Sequence, residues 1–140
     1  MRAVIDTNVL TGALLRRDTA NRAVLRACLE ERVRPIVGQT LFLEYEDVLG
    51  RDELFRRSPL SNSERRQLFA AFVSVCEWVR VYYLWRPNLR DEGDDHLIEL
   101  AVAGLADVVV TNNVADFREG QRRFPGVRVV RPGDLLRELS

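Results

Sequence analysis

Short runs of consecutive apolar residues alternate along this chain with longer stretches in which apolar positions recur every three or four residues. The short runs fall at Arg2–Ile5, Arg34–Gly38, Val79–Leu84, Asp107–Asn112 and Val127–Val130. Rich in Val and Ile, they read as strands buried on both faces. The longer stretches predict helices. One runs from about Val9 to Arg16, and a second, capped by Asp18 or Thr19, carries Ala23, Val24, Ala27 and Cys28 on one face. A third is capped by Thr40 and stops at Gly50, and a fourth, capped by Ser61 or Ser63, shows Leu68, Phe69, Phe72, Val73 and Cys76 as its apolar stripe. Between them, residues 51–60 are irregular or a short helix. A fifth helix starts at Asp94 with Leu97, Ile98, Ala101 and Val102 inside; Val114–Phe124 is a short helix or loop, and a last helix begins at Pro132. The order β-α-α-β-α-α-β-α-β-α-β-α predicts an α/β fold, its central parallel sheet of five strands covered by helices on both faces.

A chain of 140 residues fits a single domain, and no repeat, low-complexity segment or linker divides it. The formal net charge is zero, so global electrostatics argue neither for nor against a nucleic-acid partner. One compositional feature changes the picture: all 21 basic residues are Arg. Chemistry that requires a lysine is excluded. That removes a receiver-type signalling domain and a haloacid-dehalogenase-like phosphatase, both of which pair a parallel sheet with an acidic pocket. The phosphatase would also want an Asp where this chain has Asn8. Cys28 and Cys76 lie far apart on apolar faces of predicted helices, the pattern of buried free thiols. No leader-like N-terminus or membrane-length apolar run is present, which predicts a cytoplasmic protein with no membrane partner.

Ligands of open parallel sheets gather beyond the carboxyl ends of the strands. Asp6 interrupts an apolar run right after the first strand, with Thr7 and Asn8 behind it; Thr111, Asn112, Asn113 and then Asp116 follow the fourth. Glu44 sits inside the third helix, and Asp94 and Asp95 open the fifth. Singly, each has a structural explanation: Asp6, Asp94 and Asp116 can cap helices or turns, and Glu44 can be solvated. Together, Asp6, Glu44, Asp95 and Asp116 come from four elements at one end of the sheet, and such a cluster needs a cation to stay ionised. With no Lys, and no Cys or His at ligand spacing, an all-oxygen donor set selects Mg²⁺ or Mn²⁺ over Zn²⁺. Those ions serve in-line attack on phosphodiesters. His96 reads as a surface or capping residue.

In this order, "VIDTNVL", the Glu within "LFLEYEDVL", the helix start "DDHLIELA" and "DVVVTNNVADF" resemble the PIN domain, and in particular the VapC-like PIN-domain toxins of bacterial toxin–antitoxin pairs. The resemblance spans nearly the whole chain, and its first and last motifs are the most specific. It implies a three-layer α/β/α sandwich forming a single PIN-like domain over residues 1–140. It further implies a Mg²⁺- or Mn²⁺-dependent endoribonuclease that hydrolyses single-stranded RNA to a 3′-hydroxyl and a 5′-phosphate. By motif, Asp6, Glu44, Asp95 and Asp116 are the catalytic, metal-binding acids, with Asp94 the alternative to Asp95. Thr7, Asn8, Thr111 and Asn113 become polar residues that orient carboxylates or water; Asn113 stands where some relatives carry Asp. Asp6 and Asp95 would hold the metal, and Glu44 would take a proton or hold a second ion. Arg16, Arg17, Arg86, Arg90 and Arg118 are candidates for the RNA backbone, and Tyr82, Tyr83 and Trp85 for base stacking. A cognate antitoxin and a homodimer are implied as well. The alternative is a catalytically inactive PIN-like module that binds RNA or protein and whose acids only cap helices.

Overall fold

A computed structural model describes residues 1–81 and 95–140, with the side chain of Asp95 outside that description. The strands are β1 (Arg2–Ile5), β2 (Arg34–Val37), β3 (Glu77–Trp78), β4 (Val108–Val110) and β5 (Arg128–Val130). They form one sheet in the order β3-β2-β1-β4-β5, and every neighbouring pair is parallel. The described helices are α1 (Thr7–Leu15), α2 (Ala20–Leu29), α3 (Gln39–Leu49), α4 (Asn62–Val75), α5 (Asp95–Ala103), α6 (Arg118–Arg123) and α7 (Pro132–Leu139). Single 3-10 turns occupy Asp52–Phe55 and Val114–Phe117. The fold is a three-layer α/β/α sandwich. α5 packs on β1, β2 and β4, while α2 joins α1, α4 and α7.

The continuous apolar runs explain the sheet. Ala3, Val4 and Ile5 of β1 and all three valines of β4 are buried, so these central strands face helices on both sides. Capping residues define several helix starts. Thr19 accepts a bond from the Arg22 N–H at 3.2 Å. Ser61 and Glu64 form a reciprocal capping box, with bonds of 3.1 and 2.8 Å. α3 begins two residues earlier than a cap at Thr40 predicts, with Gly38 at its cap. A Cβ on Gly38 would lie 3.2 Å from Leu100 Cδ1 and 3.3 Å from the Val79 carbonyl, so any larger residue here must push its neighbours back by a few tenths of an ångström.

The third strand is displaced from its expected place at Val79–Leu84. β3 is two residues long, and Trp78 pairs with Val37, the last residue of β2. Val79 N–H still donates to the Val37 carbonyl at 2.8 Å, and Gly38 then turns into α3 as its N-cap. Tyr82 to Leu84, with Trp85, Arg86, Arg90 and Asp94, lie outside the described residues. α4 ends at Val75, leaving Cys76 as its C-cap. Cys28 is buried and Cys76 half-buried; burial pushes each thiol up to about 12. No helix among the described residues is long and apolar enough to cross a membrane.

Candidate functional site

The sheet order changes direction at β1: the chain first builds outward through β2 and β3, then returns to add β4 and β5 on the other side. The crevice beyond β1 and β4 is therefore the topological switch point, where open α/β sheets bind ligands. Asp6 is the first residue past β1, and its N–H donates to the Val110 carbonyl at 2.9 Å. Thr111 is the first past β4, and its N–H donates to the Val130 carbonyl at 2.9 Å. Both side chains are thus set by the ladder itself.

Asp6 occupies the N-cap of α1 with extended backbone, yet its side chain makes no capping hydrogen bond. Instead Oδ2 accepts from Thr111 Oγ1 at 2.8 Å and from Asn8 Nδ2 at 3.3 Å. Thr111 is fully buried. Its Oγ1 receives the Asn113 N–H at 3.0 Å and Asn8 Nδ2 at 3.3 Å, so its single hydroxyl proton is directed onto Asp6. An amide chain stands behind Asn8. Asn8 Oδ1 accepts from Asn112 N–H at 3.2 Å and from Asn112 Nδ2 at 3.3 Å, and Asn112 Nδ2 also donates to Asn21 Oδ1 at 3.0 Å. Asn21 reaches in from α2 because Gly12 has no side chain: a Cβ there would lie 2.3 Å from Asn21 Nδ2.

Glu44 comes from α3. Its Oε1 bonds His96 Nε2 at 2.9 Å, and its Oε2 accepts from Thr7 Oγ1 at 3.4 Å. The buried hydroxyl of Tyr45 donates to the Ile5 carbonyl, which ties α3 to the residue just before Asp6. Burial raises the Asp6 carboxyl above its ordinary value, with a further upward push from Glu44; the Thr111 bond, the Thr7 backbone and His96 act against it. Among the described residues no arginine pairs with Asp6 or Glu44. A partly buried carboxylate beside a more exposed one, with no guanidinium on either among the described residues, suits a hard divalent ion, which keeps much of its water and takes one or two carboxylates. Asp6 and Glu44 would be its ligands. No three His, Cys, Asp or Glu side chains among the described residues gather as a metal-holding group.

The remaining expected site residues are placed unevenly. α5 starts at Asp95, and the contact of His96 with Glu44 brings that first turn to the site, while Asp94 lies outside the described residues. Asp116 is exposed on the turn Val114–Phe117, its N–H bonded to the Asn113 carbonyl at 3.0 Å. An open depression of about 480 Å³ exposes the site; Asp6, Thr7, Asn8 and Asn113 line it with Thr11 and Leu15, and Asp116 does not. Arg16 and Arg17, past the end of α1, and Arg118, at the start of α6, are exposed. Sequence reasoning missed Asn21, Asn112 and Tyr45 and set His96 aside. The one local sign was Gly12, a glycine inside an apolar helix.

A sequence model of the PIN domain matches residues 2–115. No curated protein sequence matches the chain significantly. Among solved structures, the crystal structure of VapBC2 from Rickettsia felis bound to a DNA fragment from their promoter matches with a TM-score of 0.57. The match covers 94% of this chain and 98% of that one at 15% identity. At that identity the likeness concerns the fold.

Proposed function

Since the chain belongs to the PIN domain family, we propose that it is a metal-dependent endoribonuclease that hydrolyses single-stranded RNA, the toxin of a toxin–antitoxin pair. In this reading residues 1–140 form one catalytic domain, cytoplasmic and homodimeric, silenced by a cognate antitoxin. The VapBC2 assembly of similar fold supports assigning a partner. The observation that carries the nuclease reading is the Asp6 carboxylate: it sits at the switch point, partly buried, oriented by Thr111 and Asn8 rather than spent on a cap, and open to a depression.

The acids proposed as catalytic are Asp6, Glu44, Asp95 and Asp116, with Asp94 the alternative to Asp95. A Mg²⁺ or Mn²⁺ ion held by them supplies Lewis acidity toward the phosphate and acidifies water. Thr111 and Asn8 fix the Asp6 carboxylate so that its orientation costs nothing when substrate arrives. His96 bonds Oε1 of Glu44, and among the described residues Oε2 has only the long Thr7 bond, so through Oε2 Glu44 either holds an ion or takes the proton of the attacking water. Asn113 offers a polar wall to the RNA, and Arg16, Arg17 and Arg118 hold its backbone.

The test is cleavage of labelled single-stranded RNA with Mn²⁺, with EDTA, and by the Asp6→Asn and Asp95→Asn proteins. Cleavage is expected with Mn²⁺ only, and is lost in both variants. Activity that survives chelation and both substitutions overturns the reading and leaves a PIN-like binding module.

A further inference from the structure

A second depression, of about 580 Å³, opens past the far end of α1. Leu15 lines both depressions, so they meet at the last turn of that helix. Arg16, Arg56 and Arg57 wall the second one, with Glu53 its single acid and Leu54, 45% exposed, in its lining. Elsewhere, Arg2, Arg51, Arg128 and Arg137 and the buried Arg65 each hold a carboxylate. Arg16, Arg56 and Arg57 hold none among the described residues. Their setting is nevertheless built. Ser58 Oγ donates to the Leu14 carbonyl at 2.6 Å and accepts the Leu60 N–H at 3.1 Å, which pins the segment carrying Arg56 and Arg57 against the end of α1.

We propose that this second depression binds the phosphate backbone of single-stranded RNA away from the scissile bond, with Arg16, Arg56 and Arg57 on phosphates and Leu15 and Leu54 beneath a base. The proposal rests on the nuclease reading of the Asp6 depression and gives that substrate a path. α1 places Arg16, its C-cap, about 15 Å along the helix from Asp6, its N-cap, at 1.5 Å per residue. A strand lying along α1 therefore reaches both. A phosphate chain matches three unpaired guanidiniums, each able to take two phosphate oxygens. An apolar partner helix would strip water from the same three charges and return nothing.

The experiment measures binding of a labelled single-stranded oligouridylate in EDTA, where no hydrolysis occurs, as a function of salt. Each phosphate contact contributes about 0.7 to the slope of log K against log salt on a single strand, so the triple variant Arg16→Ala/Arg56→Ala/Arg57→Ala should lose about 2 from the wild-type slope. Arg→Lys at the same three positions should retain the slope. A control, Arg32→Ala/Arg122→Ala/Arg137→Ala, removes equal charge from ion-paired sites and should also retain it. An unchanged slope in the first triple variant, or an equal loss in the control, overturns the proposal; the former would turn this surface toward a protein partner. Since no cleavage is read, a failure of the nuclease reading shows separately, as hydrolysis that persists in Asp6→Asn.

Discussion

The two edges of the sheet treat their acids in opposite ways. At the edge where the strands begin, Arg2 holds Glu77 through two bonds of 2.8 and 2.7 Å, and its own N–H donates to Asp107 at 3.0 Å. That guanidinium holds Glu77 below its ordinary value. At the edge where the strands end, Asp6 meets a hydroxyl and an amide, and burial raises it. A carboxylate paired with arginine is finished as a structural joint. One oriented by neutral donors and left partly desolvated keeps its charge available to an incoming cation. The same residue type thus has a charged partner at one end of the strands and neutral partners at the other, and the neutral setting falls where the sheet order reverses.

The sharpest break in this contrast is the pair Asp6→Asn and Arg2→Ala. Asp6→Asn should lower RNA hydrolysis by about a thousandfold, the several kcal/mol expected when a metal ligand is lost, while the fold stays intact. Arg2→Ala should lower the melting temperature and leave the hydrolysis rate at its wild-type value. Equal losses from the two substitutions in a cleavage assay would erase the distinction. Next in size is Thr111→Val, which removes the proton aimed at Asp6 and should weaken Mn²⁺ binding by about 10- to 100-fold, with Thr111→Ser restoring it. Calorimetric titration decides, and an unchanged affinity in Thr111→Val sinks the orienting role.

Gly12→Ala should act more gently. The helix gains about 1 kcal/mol from the better helix former, and displacing Asn21 loses a hydrogen bond of about 1 kcal/mol. Stability should therefore barely move, while Mn²⁺ affinity falls by less than in Thr111→Val; a variant unchanged in affinity would show that the amide chain ends at Asn112. The smallest effect is on metal-free stability against pH. The folded Asp6 carboxyl lies above its ordinary 3.8, so the folded state binds this proton more tightly than the unfolded chain does. The resulting stability is present in full below 3.8 and is lost as pH rises through the folded value. The melting temperature of Asp6→Asn should accordingly gain on the wild type across that window and level off above it. A difference that stays constant with pH contradicts a raised Asp6.

Much of this was legible from periodicity. The strand and helix order and the place of Asp6 just past the first strand follow from apolar runs and the residues that interrupt them, and the choices between Asp18 and Thr19 and between Ser61 and Ser63 as caps fall to Thr19 and Ser61. The start of β3 at Glu77 did not follow, because pairing with Ile36 and Val37 of β2, and not the apolar run alone, decides where an edge strand begins. In residues 51–60, which carry no clear period, Phe55 is nevertheless buried, with the Arg65 guanidinium 4.8 Å from its ring centroid. The amide chain from Asn8 through Asn112 to Asn21 joins three separate elements, and asparagines at such positions carry no periodic signal. The bond between His96 and Glu44 was hidden for the same reason, since it forms only when α3 and α5 meet at one end of the sheet.

Asp6 and the hydroxyl that aims it are separated by 105 positions. β1 emerges first during synthesis, yet its second neighbour, β4, is among the last strands made. A nascent or truncated polypeptide holding Asp6 but lacking Thr111 has the acid without its orienting group. Orientation of the Asp6 carboxylate is therefore a late event in translation, reached only once the segment carrying Thr111 has left the ribosome.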